Sequence, residues 1–320
     1  MNPLVSVVIP CWNAEATIGE AVESALGQTY PEVEVVVVDD GSTDDSLAVI
    51  SRYGTRVVVD SGPNRGACAA RNRGTSIAKG RWIQFLDADD LLVREKLELQ
   101  VRHAESVTNP RTLSISLGRP DQPDAFLSWQ YSRPYPSGMD PILFLLNGIL
   151  LTPAPLHLKE SLVRVGGFDE TLPCSQEYDL HLRLACDGMG LSQLRESLFI
   201  SRRQTNGISA NGTRVMAQRR KILGGVRGLL EASNALTAER RTAIAVTLAR
   251  SATHLELHGN REEAGLHWSD ALALDADAAA LSWTRPWRPI VRAIGSTNTA
   301  RVRNGARGLV EKLKPVLRRS

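Results

Sequence analysis

The first ninety residues switch repeatedly between two hydrophobic periods, and few folds accept such a chain. "VSVVIP" (5–10) is a continuous apolar run closed by proline, the pattern of a strand buried on both faces. "NAEATIGEAVESALGQ" follows, with Ile18, Val22, Ala25 and Leu26 on one helical stripe and Thr17 and Glu20 at capping-box spacing. "VEVVVVDDGSTDDS" is a β-branched strand ending at Asp39–Asp40. Ser42, Thr43 or Asp44 is then placed to cap a helix carrying Leu47, Val49 and Ile50. "RVVVD" (56–60), "GACAARNRGTSIAKG" (66–80) and "WIQFLD" (82–87) read as strand, helix and strand. Strands alternating with helices at this spacing predict βαβ units and a mainly parallel sheet, an α/β fold. In such sheets ligands bind beyond the carboxyl ends of the strands. Asp39, Asp40, Asp87 and Asp89 all fall at those ends.

Beyond residue 90 the pattern predicts a helix at about 91–107 and a strand over "TLSISL" (112–117). Residues 118–140, rich in Pro, Ser and Gly with Trp129, Tyr131 and Tyr135, read as a functional loop or flap. "SLVRVGGFDE" (161–170) reads as a helix stopped by Gly166–Gly167, and "EYDLHLRLACDG" (177–188) as an amphipathic helix ended by Gly188. "SLFISRRQ" (197–204) reads as a last strand. Prolines then vanish until Pro286 and Ala, Leu and Arg dominate, which predicts helices over 215–283. Within them, 249–277 places a Gly-Asn turn between two apolar-periodic segments, like one tetratricopeptide-type helix pair. The tail, 300–320, carries seven Lys/Arg against the single Glu311. It is either a basic amphipathic segment for an acidic membrane surface or a solvated end. The expected domains are therefore 1–214 and a helical extension, 215–320.

Composition narrows the class. With 42% hydrophobic and 23% charged residues the chain is an ordinary globular one, and a net charge of +3 gives no reason to invoke nucleic acid. Cys11, Cys68, Cys174 and Cys186 have neither CxxC nor metal-type spacing and read as free thiols of a cytoplasmic protein. The longest apolar stretch, "PILFLLNGILL" (141–151), is too short to cross a bilayer.

The acidic run "DADD" (87–90) is the chemically loaded element. Crowded carboxylates resist joint ionisation, and a divalent cation, which prefers oxygen ligands, relieves the crowding. The bland alternative for such a triplet is a solvated turn.

Taken together, "VSVVIPCWNAEATIGEAVESALGQTYPEVEVVVVDDGSTDDS", "NRGACAARNRGTSIAKGRWIQFLDADD", "VGGFDE" and "EYDLHLRLA" resemble the family-two inverting glycosyltransferases of GT-A fold, over about residues 4–209. The resemblance implies transfer of a sugar from a nucleotide donor, most often a UDP-sugar, to a saccharide or lipid-linked acceptor, as in surface polysaccharide assembly. It assigns Pro10, Trp12, Asn13 and Glu15 to the first nucleotide-contacting loop, Trp12 standing where an aromatic is usual. It assigns Asp39 and Asp40 to uracil and ribose, and Gly66 and Ala67 to a turn that backbone must make close to the nucleotide. Arg71 would meet phosphate or the acidic cluster, and Asn72 follows on the same helix. Asp87-Ala88-Asp89 matches the DXD motif. Asp87 would face ribose or sugar, Asp89 would ligate Mg²⁺ or Mn²⁺, and Asp90 would support them. The base of an inverting transfer comes from an "ED" pair opening a helix after "GGFDE". Here that pair reads Gln176-Glu177, which makes Glu177 the base and Asp179 the alternative.

Two departures stand out. Glu177 is one methylene longer than the usual Asp, and Gln204 stands near the place of a frequent histidine, with Arg202, Arg203 or Ser209 as substitute diphosphate contacts. Of the histidines, only His181, on the Glu177 helix, merits attention, and it is expected at the surface or facing the acceptor. Three rivals remain. A nucleotidyltransferase would need a Gly-rich phosphate loop after the first strand, and "PCWNAEA" is not one. A nucleotide-sugar- or glycan-binding adaptor would work through a protein partner at the C-terminal helices. Nucleic-acid binding by the tail lacks interleaved aromatics.

Overall fold

In the computed structural model, residues 2–121, 133–202 and 211–281 are described. Contacts divide the chain into two compact units, Met1–Ala210 and Asn211–Ser320.

The first unit is built on an eight-stranded mixed sheet. Its strands are β1 (Val5–Cys11), β2 (Val33–Asp39), β3 (Val58–Ser61), β4 (Trp82–Phe85), β5 (Leu91–Leu92), β6 (Leu113–Pro120), β7 (Pro155–Leu158) and β8 (Leu191–Ser201). The helices between them are α1 (Ile18–Leu26), α2 (Ser46–Ser51), α3 (Ala67–Ile77), α4 (Lys96–Ser106), α5 (Pro141–Leu146), α6 (Lys159–Arg164) and α7 (Gln176–Cys186). The order across the sheet is β3-β2-β1-β4-β7-β6-β8-β5. β3, β2, β1 and β4 are parallel, as the alternation predicts, whereas β7 runs antiparallel to β4 and β6, and β5 antiparallel to β8. The parallel half thus forms from local βαβ units, and the antiparallel insertions come from residues with no comparable periodicity.

β1 is central and buried on both faces, which explains its unbroken apolar run. Val5, Val7 and Ile9 pack with Ile18, Ala21 and Val22 of α1 and Ile50 of α2. On the other face α3 approaches so closely that a Cβ at Gly74 would lie 2.3 Å from Val8 Cγ1, so only glycine fits there. β3 is an edge strand, and Val58 and Val59 are exposed accordingly.

Several local expectations are corrected. Thr17 makes no side-chain cap, and Glu20 pairs instead with Arg202, so long-range charge pairing displaced the capping box. Asp44, rather than Ser42 or Thr43, accepts the Ser46 amide at the start of α2 (3.0 Å). The expected helix at 91–107 starts only at Lys96, because Leu91 and Leu92 pair with Ile200 and Phe199 of β8. β8 begins six residues before the expected 197, at Leu191, where it pairs with β6. Residues 122–132 of the expected flap lie outside the described residues.

The second unit comprises α8 (Gly212–Ala232), α9 (Ala238–Leu257), α10 (Arg261–Leu274) and α11 (Ala276–Leu281). α9 and α10 are the anticipated helix pair, turning at Gly259 (φ 84°), and they bury Ala245, Leu248, Ala252, Ala264, Trp268 and Ala271. α8 completes the packing through Ile222, Leu223, Val226 and Leu230. The basic tail lies outside the described residues. Among the described residues, no helix is long and apolar enough to cross a membrane.

Candidate active site

The parallel register sets β1, β2 and β4 so that their carboxyl ends line one edge. Cys11 pairs with Asp39, and Asp39 with Ser61. The loops that follow are cross-tied. Asn13, at φ 48°, accepts from the Thr43 amide through Oδ1 (2.8 Å) and donates its own amide to Ser42 Oγ (3.0 Å). Glu15 Oε2 accepts the Asp45 amide (2.9 Å), and the Glu15 amide donates to Asp44 Oδ2 (3.0 Å). Asn13 and Glu15 therefore fix the shape of the loop; Trp12 between Cys11 and Asn13 projects its ring, 58% exposed.

Asp39, which ends β2, and Asp40, just after it, are buried, and each accepts two hydrogen bonds from its neighbours. Asp39 accepts from the Ser42 amide (3.2 Å) and the Ser61 hydroxyl (2.8 Å). Asp40 accepts from the Arg65 and Gly66 amides (2.7 and 2.8 Å), so it shapes the turn into α3. Gly66, at φ 92°, is the N-cap of α3, and the space where a Cβ would stand is open, as suits a ligand-facing turn; Ala67 begins the helix.

Arg71, one turn further into α3, is the hub. It is only 5% exposed, and its guanidinium donates to Asp87 Oδ1 (2.6 Å) and Gln176 Oε1 (2.9 Å) and lies 3.5 Å from Glu177 Oε1. The Phe168 ring sits beneath it, 5.3 Å from Cζ. Burial alone would pull the guanidinium pKa down, but Asp87 and Glu177 outweigh it and hold the pKa above its ordinary value. Asn72 binds the Phe168 backbone from both sides (2.8 and 2.9 Å), which locks the "GGFDE" segment onto α3.

Asp87, Ala88 and Asp89 lie in a tight turn closed by the Asp90 amide on the Asp87 carbonyl (3.0 Å). Asp90 is buried and accepts the Arg202 amide (2.9 Å). Burial, then the charges of Asp87 and Asp89, push its carboxyl pKa well above the usual range. The donor set is oxygen only, which suits Mg²⁺ or Mn²⁺. Among the described residues no three His, Cys, Asp or Glu side chains converge to hold a metal ion.

α7 opens at Gln176 after Ser175, a non-glycine residue in the left-handed region (φ 61°). That strained entry aims Glu177 at Arg71, while Thr152 Oγ1 donates to Glu177 Oε1 (3.2 Å). Asp179 is turned to Arg183, whose other nitrogens hold the Val165 and Gly167 carbonyls (2.7 Å each). The structure thus brings Arg71, Asp87 and Glu177 together and assigns Asp179 to the Gly-Gly turn. His181 is not at the surface. It is 2% exposed and stacks on His157, with Nε2–Nε2 at 3.1 Å. Gln204, Arg203 and Ser209 lie outside the described residues. Sequence reading missed Thr152, Phe168 and Ser175. The glycine doublet before Phe168 was a signal for it, but no pattern marks the other two.

The site is thus an α/β sheet whose acidic strand tips gather around a buried arginine. Residues 6–137 match the model of glycosyl transferase family 2. The relatives include an uncharacterised glycosyltransferase of Rickettsia typhi, 31% identical over 193 residues (56% of this chain, 58% of that one). Another is the UDP-Glc:alpha-D-GlcNAc-diphosphoundecaprenol beta-1,3-glucosyltransferase WfaP of Escherichia coli, 42% identical over 105 residues (32% of this chain, 42% of that one). The chain spans less than two thirds of the length of these relatives. Among solved structures, S. aureus TarS 1–349 in complex with UDP-GlcNAc has the same fold at TM-score 0.68 and 20% identity, over 95% of this chain and 92% of that one.

Proposed function

We propose that the protein is an inverting, metal-dependent glycosyltransferase. It moves a sugar from a nucleotide donor, in first place a UDP-sugar, to a hydroxyl of a glycan or lipid-linked saccharide in surface polysaccharide synthesis. The observation that carries this reading is Arg71, which joins the DXD carboxylate Asp87 to Glu177, so that donor-side and acceptor-side groups meet at one buried cation. Support for the donor class comes from the UDP-Glc named for WfaP and the UDP-GlcNAc bound to TarS. A mannosyltransferase of Pyrobaculum calidifontis, TM-score 0.54, was solved with GDP-Man and Mn²⁺.

In this reading Trp12 offers its face to the base, and Asp39 and Asp40 order the loops around the nucleoside. Asp89 would hold a divalent ion, which when bound would supply Lewis-acid stabilisation to the leaving diphosphate. Glu177 takes the proton of the acceptor hydroxyl as that oxygen attacks the anomeric carbon from the face opposite the diphosphate. The C–O bond to the diphosphate breaks and UDP departs, so inversion follows from the single displacement. Glu177 is the base in preference to Asp179, which is occupied by Arg183. The reaction is assigned to the cytoplasmic face, with the C-terminal helices and basic tail as the regions for a protein partner or the membrane.

The test is Mn²⁺-dependent release of UDP from a panel of UDP-sugars, with and without saccharide acceptors. Asp89→Ala should lower turnover by at least about a hundredfold, equivalent to about 2.7 kcal/mol of transition-state stabilisation. Donor binding without turnover in the wild type would instead make the protein an adaptor.

A further inference from the structure

We propose that Thr152 is a positioning residue that anchors Oε1 of Glu177 and leaves Oε2 to receive the acceptor proton. The inference rests on Glu177 being the base. Both contacts to Glu177 fall on the same oxygen: the Thr152 hydroxyl at 3.2 Å and Arg71 Nη1 at 3.5 Å. Arg71 is itself oriented, since Asp87 and Gln176 fix the directions of its nitrogens. With the Thr152 hydroxyl as hydrogen-bond donor and the Arg71 cation both against Oε1, that oxygen is held and Oε2 is left for the acceptor.

Thr152 is suited to this task because its backbone is pinned. The Pro153 carbonyl accepts from Gln84 Nε2 (3.0 Å) and the Ala154 carbonyl from Gln100 Nε2 (3.0 Å), and both glutamines are fully buried. The Ala154 amide closes a turn onto Leu151 (2.9 Å), and β7 begins at Pro155. Thr152 is therefore a short side chain on a rigid support, the arrangement that holds a functional group to a fraction of an ångström. The need for it is local to this chain. A glutamate has one more torsion than an aspartate and so more rotamers to suppress. Misplacing a base by about an ångström is enough to lose much of its effect. Arg71 alone, at 3.5 Å, leaves the carboxylate free to swing about that contact; the Thr152 hydroxyl removes the swing.

Two variants test this. Thr152→Val keeps the shape and deletes the hydroxyl, and Thr152→Ser keeps the hydroxyl. Crystal structures of both are compared with wild type. The valine variant should show Glu177 in more than one rotamer and the serine variant in one. A single unchanged rotamer in the valine variant overturns the proposal. With UDP-glucose or UDP-N-acetylglucosamine and Mn²⁺, whichever the wild type turns over, Thr152→Val should lower kcat by about tenfold with the donor KM unchanged. Thr152→Ser should restore kcat to within about threefold of wild type. A KM effect without a kcat effect overturns the positioning role. Glu177→Gln separates the two levels: full turnover there removes the base assignment itself. Loss of turnover in Glu177→Gln together with an unaffected Thr152→Val removes only the role of Thr152.

Discussion

Helix α7 meets two buried ionisable groups one turn apart, and they are handled oppositely. At its first turn Glu177 faces Arg71, which is nearly inaccessible yet stays charged because Asp87 and Glu177 lie against it. One turn later His181 faces His157, both buried, and among the described residues no carboxylate compensates the burial. Burial, and then the neighbouring Arg183, push the His181 pKa down to about 3; burial and then His181 push His157 well below its ordinary value. The pair shares an Nε2–Nε2 contact, and the Ile83 backbone lies against His157. Burial disfavours the charged form in both places; the guanidinium, always protonated, is met by two carboxylates, whereas the imidazoles, which titrate far lower, meet only one another and Arg183. At the first turn one buried cation joins two carboxylates; at the second two buried imidazoles meet each other.

The contrast can be broken at its strongest point by Arg71→Met. Removing the guanidinium leaves Asp87 and Glu177 facing each other half-buried and should cost about 3 kcal/mol of stability in urea unfolding. Arg71→Lys should not restore it, since a point charge cannot donate along the separate directions to Asp87 and Gln176. A loss below about 1 kcal/mol would mean the hub is not a buried charge network.

The histidine pair sharpens the other side through pH. Folded-state pKa values below the unfolded value of about 6.5 mean that unfolding takes up protons, so the contribution to stability is intact above that pH and declines as pH falls below it. The decline approaches about 1.4 kcal/mol per pH unit for each histidine and continues toward about 3 for His181. Urea midpoints at successive pH values should show this slope in wild type and a flatter one in a His157→Leu/His181→Leu variant. Identical slopes would show that the pair stays protonated when folded.

The smallest effect is expected at Asp179, on the same helix but paired with Arg183. Asp179→Asn keeps an acceptor for Arg183 and should cost about 1 kcal/mol, with turnover within about threefold of wild type. A loss comparable to that of Glu177→Gln would move the base to Asp179.

Much of the site was readable in one dimension because βαβ units place acidic residues at strand ends through local pairing. Asp39, Asp40, Asp87 and Asp89 are set by register with β1, whose period and proline stop are plain in the sequence. The Glu177–Thr152 contact joins residues 25 apart, and Arg71–Gln176 joins residues 105 apart; neither leaves a periodic trace. The same limit explains Thr17, whose spacing promises a cap that the Glu20–Arg202 pair overrides.

By itself, then, the sequence determined that the first four strands run parallel and which carboxylates stand at their tips, since period and turn chemistry act over a few residues. Only the tertiary structure decided how those charges are paired, which of two acids on α7 faces Arg71, and that His181 is buried. Each of those depends on packing between segments far apart in the chain, where the identity of the neighbour, and not of the residue itself, sets the electrostatic outcome.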